Sequence, residues 1–183
     1  MEEVVAVVSE KLMTEGVVTE EDLAGRLPNE ERMRLRGFAV TECIQEIPCN
    51  PCVHACPFNA ISMENINAPP VVDFEKCTGC AVCVRSCPGL AIFVIDVSKE
   101  ETTVTMPYEF IPLPRVGEVV DGLDREGNVV CEAKVVRVLP GEKYDHTSTI
   151  TVAVPRDLVM AVRHIRLRRS NRDDEGAEER VGT

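Results

Sequence analysis

The sequence predicts an α+β fold in consecutive parts, with a doubled unit at its centre. Three observations predict it. Apolar residues near the N-terminus keep helical spacing, one cysteine-bearing pattern occurs at residues 49–61 and again at 80–92, and β-branched runs broken by turn signals fill residues 104–154. The expected parts are a helical N-terminal segment at 1–36, the doubled unit at 37–98, a small β-rich domain with a helix at 99–168, and a disordered tail at 169–183.

In the N-terminal segment, Val4, Val5, Val8 and Leu12 fall on one helical face, and Gly16 is placed to end that helix. Thr19 with Asp22 fits a capping box for a second helix carrying Leu23 and Leu27. Pro28 stops it, and Asn29 can cap a short third piece. Such a segment reads as a cover for the next domain. A DNA-binding helix–turn–helix is disfavoured by its charge, 9 acidic against 5 basic residues.

The doubled unit holds eight of the nine cysteines. Cys49, Cys52, Val53, Cys56, Pro57, Ala60 and Ile61 each recur 31 positions later as Cys80, Cys83, Val84, Cys87, Pro88, Ala91 and Ile92. Strand-like runs at Phe38–Thr41, Val71–Phe74 and Phe93–Val97 flank the copies. Residues 65–70 link them.

The second copy reads Cys77-x2-Cys80-x2-Cys83-x3-Cys87-Pro88, a run that suits a 4Fe–4S cube. Three thiolates two residues apart wrap a tight loop round one cube, and the fourth, further on, reaches another. The loop also aims backbone N–H groups at sulfur, and the proline turns the chain away. Structural zinc takes two separated cysteine pairs rather than close threes and fours. The first copy departs from the pattern. Glu46 stands where the offset expects cysteine, and Cys43 lies three residues earlier. Either a longer loop carrying Ile47-Pro48 lets Cys43 supply the missing ligand, or Glu46 does so, or that cluster has lost an iron. Thiolate is the softer donor and favours Cys43. A buried structural role for Cys43 stays open.

On these runs, residues 38–96 resemble a two-cluster bacterial-type ferredoxin. The resemblance implies a pseudo-twofold pair of β–α–β units and two [4Fe–4S] clusters sharing ligands across the repeat. One cluster would use Cys43, Cys49, Cys52 and Cys87, and the other Cys77, Cys80, Cys83 and Cys56. More distantly, the run from Glu42 to Cys52 is similar to iron–sulfur subunits of FAD-dependent amino-acid, proline or opine-type dehydrogenases. That likeness implies a flavoprotein dehydrogenase partner, with FAD in the partner and not in this chain.

Beyond the doubled unit, Gly117–Val120 and Val129–Leu139 read as strands joined by a hairpin at Asp124–Asn128. Pro140-Gly141 marks a turn, and Thr147–Val154 alternates as a strand should. Pro155 suits the first position of a helix with Leu158, Ala161, Val162 and Ile165 as its apolar stripe. Cys131 reads as a small buried hydrophobe. His54 is either a tuning residue or a loop residue, while His146 and His164 read as surface residues. Arg163, Arg166, Arg168, Arg169 and Arg172 form a basic cluster that either binds an acidic group or is salt-bridged.

The totals bound the rest. The 183 residues are 44% hydrophobic but only 4% aromatic, so the core must rest on Val, Ile, Leu and Met. A net charge of −11 argues against a general nucleic-acid binder and suits docking on a basic surface as well as plain solubility. No apolar stretch reaches the roughly 18 residues of a membrane span. The opening Met1-Glu2-Glu3 is acidic where a signal peptide is basic, so the expected location is cytoplasmic, where cysteines serve metal or redox chemistry rather than disulfides. Neither a GxGxxG run nor a P-loop motif is present. The expected function is electron transfer as a non-catalytic subunit of a hetero-oligomeric oxidoreductase. A free diffusible ferredoxin and a redox-sensing regulatory module are the alternatives.

Overall fold

The structure, a computed structural model, describes residues 9–142 and 147–168. The expectations for Val4, Val5, Val8, His146, Arg169, Arg172 and the tail lie outside the described residues.

Helix α1 (Glu10–Glu15) starts where the Ser9 side chain accepts from Leu12 N–H and stops at Gly16, whose φ of 73° is left-handed. The Thr19–Asp22 pair forms as expected, but it begins only a 3-10 turn, Glu21–Leu23. Gly25, at φ 77°, breaks the chain direction soon afterwards. The Asp22 carboxylate also accepts from Ser9 N and Oγ, so one buried anion ties the turn to the start of α1. Helix α2 (Glu30–Leu35) is capped by Asn29. Leu23 is fully buried in the main core, with Leu27 and Met33 packed against that core's edge.

The doubled unit comprises β1 (Phe38–Thr41), α3 (Pro51–Ala55), β2 (Ile61–Ser62), β3 (Val71–Val72), α4 (Val82–Ser86) and β4 (Ile92–Asp96). The two helices start and stop 31 residues apart, like the cysteine pattern that carries them. The strands pair crosswise. β1 runs antiparallel to β4, with Phe38 opposite Ile95, and β2 runs antiparallel to β3, with Ile61 opposite Val72. Each pair therefore joins the opening strand of one copy to the closing strand of the other.

The remaining strands are β5 (Thr103–Tyr108), β6 (Val119–Leu123), β7 (Val129–Leu139), β8 (Ser148–Ala153) and β9 (His164–Arg166). They continue the β1–β4 ribbon into one seven-stranded antiparallel sheet of order β1-β4-β5-β8-β7-β6-β9. The junction is the β4–β5 pairing, Val94 opposite Thr105 and Asp96 opposite Thr103. The β6–β7 hairpin turns where expected: Asp124 Oδ1 accepts from Glu126 N and Asn128 N, and Gly127 takes φ 85°.

The helix expected after Pro155 does not form. A single 3-10 turn, Arg156–Leu158, is followed by strand β9, in which Ile165 lies opposite Gly122. Arg163 N–H donates to Leu123 O and leads into that pairing. The open edge of β6 offers these residues a ladder, which satisfies more backbone groups than a short helix would. Val162 and Ile165 still point inward, which is why their spacing imitates a helical stripe.

Alternation along β1 and β4 divides two cores. Phe38, Val40, Phe93 and Ile95 face the large core, shared with Val104, Met106, Val120, Val135, Ile150 and Val152. Ala39, Ile92 and Val94 face the other side, against Cys52, Cys77, Cys83, Cys87, Ile61 and Val84. The ribbon thus forms one wall of the cysteine-bearing compartment.

Candidate metal centre

Each copy builds the same local frame round its cysteines. Cys52 and Cys83 lie within α3 and α4, and Cys56 and Cys87 are the residues that end those helices. A turn follows each, with Asn59 at φ 49° and Leu90 at φ 53°, both left-handed without being glycine. That turn aims a backbone N–H back at sulfur: Ala60 N to Cys56 Sγ is 3.2 Å, and Ala91 N to Cys87 Sγ is 3.5 Å. Ala39 N, on β1, points at Cys77 Sγ at 3.4 Å. Donors of this kind stabilise negative charge on a thiolate.

The thiols fall into two groups that cross the repeat. Burial pushes the Cys52 thiol up to about 11, and Cys87 and Cys49 push it the same way. Cys43 is raised too, by burial and then by Cys87 and Cys49, with Arg26 acting against them. Cys83 is pushed up to about 12, first by burial and then by Cys77, Cys80 and Cys56. Cys87 thus lies with the cysteines of the first copy and Cys56 with those of the second. Glu46 is exposed.

Cys56, Cys77, Cys80 and Cys83 line one pocket together with Ala39, Ile61, Thr78, Gly79 and Val94. Within it the buried Thr78 Oγ1 finds no hydrogen-bond partner among the described residues. A group in that pocket able to accept a hydrogen bond would satisfy it. Gly79 closes the pocket's loop at φ +70°, and a Cβ there would meet the backbone carbonyl carbon of Gly37 at 2.8 Å. No three His, Cys, Asp or Glu side chains among the described residues are placed to hold a single metal ion. The cysteines instead surround a volume, as the ligands of a multi-iron cube do. Burial and the neighbouring thiols make Cys83 resist ionisation on its own, so this donor set fits a positively charged iron–sulfide core.

A buried charge group missed by the sequence reading braces the first loop. Glu42, one residue before Cys43, accepts from Arg125 Nη2 at 2.5 Å and Arg163 Nε at 2.6 Å. Its side chain is 8% exposed. Burial pushes its carboxyl up, but the two guanidiniums overcome that and hold it below the ordinary range. Arg163 also lies 5.0 Å over the Phe93 ring. Arg163 is therefore an interior residue, while Arg166 and Arg168 pair with Asp121, and Arg168 also with Glu132. These pairs sit on strand β9 and just after it rather than at a helix end.

The remaining candidates stand apart. Cys131 lies on β7 opposite Gly122, and burial raises its thiol. His54, on the exposed face of α3, is within 3.2 Å of Asn50. His164 stacks on Tyr108 with ring centroids 5.6 Å apart, so it is a packed residue rather than a free surface one.

Comparison with known proteins bears on residues 42–92, which match the family described as 4Fe-4S dicluster domain. Residues 42–92 are a ferredoxin-type 4Fe–4S domain. Within and beyond it, the chain is 43% identical over 53 residues to the polyferredoxin-like subunit of an aliphatic sulfonate oxidoreductase from Pyrococcus furiosus, covering 29% of this chain and 31% of that protein. It is 33% identical over 114 residues to a selenate reductase subunit from Mesobacillus selenatarsenatis, covering 59% and 37%. It is 28% identical over 104 residues to a sulfite dehydrogenase subunit from Allochromatium vinosum, covering 57% and 42%. The ferredoxin-type chain thus spans roughly a third of the length of the curated relatives it matches. No solved structure matches it. No helix among its described residues is long and apolar enough to cross a membrane.

Proposed function

We propose that this chain is an electron-transfer subunit of an oxidoreductase complex and holds two [4Fe–4S] clusters. Cys43, Cys49, Cys52 and Cys87 hold one, and Cys77, Cys80, Cys83 and Cys56 hold the other. The observation that carries this reading is the crossed grouping of the thiols, in which Cys87 joins the first copy and Cys56 the second. The bound clusters supply one-electron oxidation and reduction. The chain's own part is to fix eight thiolates, donate N–H groups from Ala39, Ala60 and Ala91 to their sulfurs, and exclude water with Ile61, Ile92 and Val94. Because each helix-ending cysteine serves the opposite group, the clusters lie side by side, and an electron entering one has a short path to the other.

The partner in this reading is a flavin-containing dehydrogenase subunit of amino-acid, proline or opine type, in a cytoplasmic hetero-oligomer. What supports it is the run from Glu42 to Cys52 and the flanking sheet, far larger than a cluster carrier needs. The relatives' names support an oxidoreductase subunit and leave the substrate to the partner.

Anaerobic native purification, reading complex mass and absorption, tests the proposal. A large species carrying flavin and iron–sulfur absorption is expected, whereas a lone brown 20.2 kDa species would overturn the subunit reading in favour of a diffusing ferredoxin. Cys80→Ala and Cys83→Ala are expected to lose one cluster each time, and unchanged iron in both would overturn the ligand assignment.

A further inference from the structure

Arg32, on α2, is 4% exposed and is inserted between β1 and the start of the second cysteine run. Among the described residues its guanidinium donates only to carbonyl oxygens: Nε to Phe74 at 2.6 Å, Nη1 to Arg36 at 2.9 Å, and Nη2 to Cys77 at 2.7 Å and Gly37 at 3.4 Å. None of the ion pairs among the described residues includes it. Arg125 and Arg163, by contrast, share Glu42. Among the described residues Arg32 has no such anion.

A buried cation satisfied by carbonyls alone is costly, and buried charges are as a rule paired. The position of Arg32 supplies a counter-charge of another kind. It grips the carbonyl of Cys77, whose Sγ in turn accepts from Ala39 N, and Gly37 beside it packs against Gly79 in the same loop. Four thiolates outweigh the positive charge of the iron core they bind, so the loaded site is anionic and gains one further negative charge when it takes up an electron.

We propose that Arg32 is the buried counter-charge of the cluster held by Cys77, Cys80, Cys83 and Cys56, and that it raises that cluster's reduction potential. The proposal rests on the ligand assignment made above. Arg32 touches neither iron nor sulfur and acts as a positioning residue through the loop it grips. Its fixed charge favours the reduced form, because reduction adds one electron from an external donor and no proton need follow it. A unit charge within about 10 Å at an effective dielectric near 20 shifts such an equilibrium by roughly tenfold or more. It also gives a reason for one of the contacts that hold α2 beneath this loop.

The test is an anaerobic redox titration of the full chain with dithionite as electron donor, each cluster followed by electron paramagnetic resonance, in wild type, Arg32→Gln and Arg32→Lys. The glutamine variant is expected to lose about tenfold in the reduction equilibrium of one cluster, which is about 59 mV for one electron, with the other cluster moving much less. The lysine variant keeps the charge but not the fork, and is expected to hold its midpoint near wild type. Equal drops in both variants would assign Arg32 a packing role only, and no shift in either would also overturn the proposal. Should Arg32→Gln fail to load, a tenfold drop in Arg32→Lys alone refutes it. Wild-type protein lacking two cluster signals would refute the ligand assignment itself, independently of Arg32.

Discussion

Replacing Glu42 by glutamine removes the anion that the interior guanidiniums of Arg125 and Arg163 share. The wild-type carboxylate takes Arg125 Nε on one oxygen at 2.9 Å, and Arg125 Nη2 and Arg163 Nε on the other at 2.5 and 2.6 Å. An amide of the same shape keeps one acceptor oxygen but turns an NH2 group toward cations that need none. Arg163, 5% exposed, then keeps the carbonyls of Val159 and Val162, the Met160 sulfur and the Phe93 ring, none of which carries a negative charge. Leaving a buried charge uncompensated costs about 3–5 kcal/mol, more than the net worth of the intact pair. The loss falls on the loop to Cys43, because Glu42 N–H also donates to Ala91 O at 2.8 Å. The assay is anaerobic urea unfolding of the loaded protein, followed by cluster absorption, for Glu42→Gln, Arg163→Met and the triple replacement of Glu42, Arg125 and Arg163 by methionine. The triple replacement is expected to recover much of the loss, since it leaves no interior guanidinium without its anion and apolar groups of like size need no partner. A Glu42→Gln protein within about 1 kcal/mol of wild type would refute the argument, and so would a triple variant no better than the single ones.

Gly79→Ala forces a left-handed residue with a side chain, about 1–2 kcal/mol, and drives its Cβ into the Gly37 backbone, about 1–3 kcal/mol more; a thermal midpoint and iron content equal to wild type would contradict this. Asp22 is pushed up by burial, but hydrogen bonds from Ser9 and Thr19 overcome that and bring it to about 2. Its folded value is thus depressed, so its contribution, about 2 kcal/mol, is complete above the ordinary carboxylate range and disappears as pH falls toward the folded value. The stability gap between wild type and Asp22→Asn should accordingly be full at neutral pH and narrow under acid, as urea titrations at each pH would register. Cys43→Ala is expected to lower bound iron while Glu46→Ala leaves it unchanged, and the reverse pattern would give the fourth ligand of the first cluster to Glu46.

Much of the cysteine compartment was legible because its information is local and repeated. A cysteine pattern that recurs at fixed offset marks two helices of equal bounds, and β1 and β7 span the residues their β-branched runs suggested. The Asp124–Asn128 turn was legible for the same reason. What escaped is non-local. Glu42 meets Arg125 and Arg163 across 83 and 121 residues, and no spacing rule reaches that far. Arg32 reads as one charge on a polar helix until the fold brings the Cys77 carbonyl to it. The stretch after Pro155 misled because inward-facing residues on either side of a bend imitate a helical stripe, and only the free edge of β6 decides between the two. The single sheet was hidden because β5 pairs with β8, with Thr103 opposite Ala153 and Tyr108 opposite Ser148, a choice propensity does not encode.

That single sheet makes the electron carrier and its appended strands mechanically inseparable. β4 is an interior strand, with β1 on one side and β5 on the other. A chain cut after residue 98 would expose a bare row of amide and carbonyl groups along β4 and strip the cover from Phe38, Val40, Phe93 and Ile95. The appended strands act as a keel: β5 is hydrogen-bonded directly to β4, so a load on the outer strands passes through the sheet to the wall of the cysteine compartment.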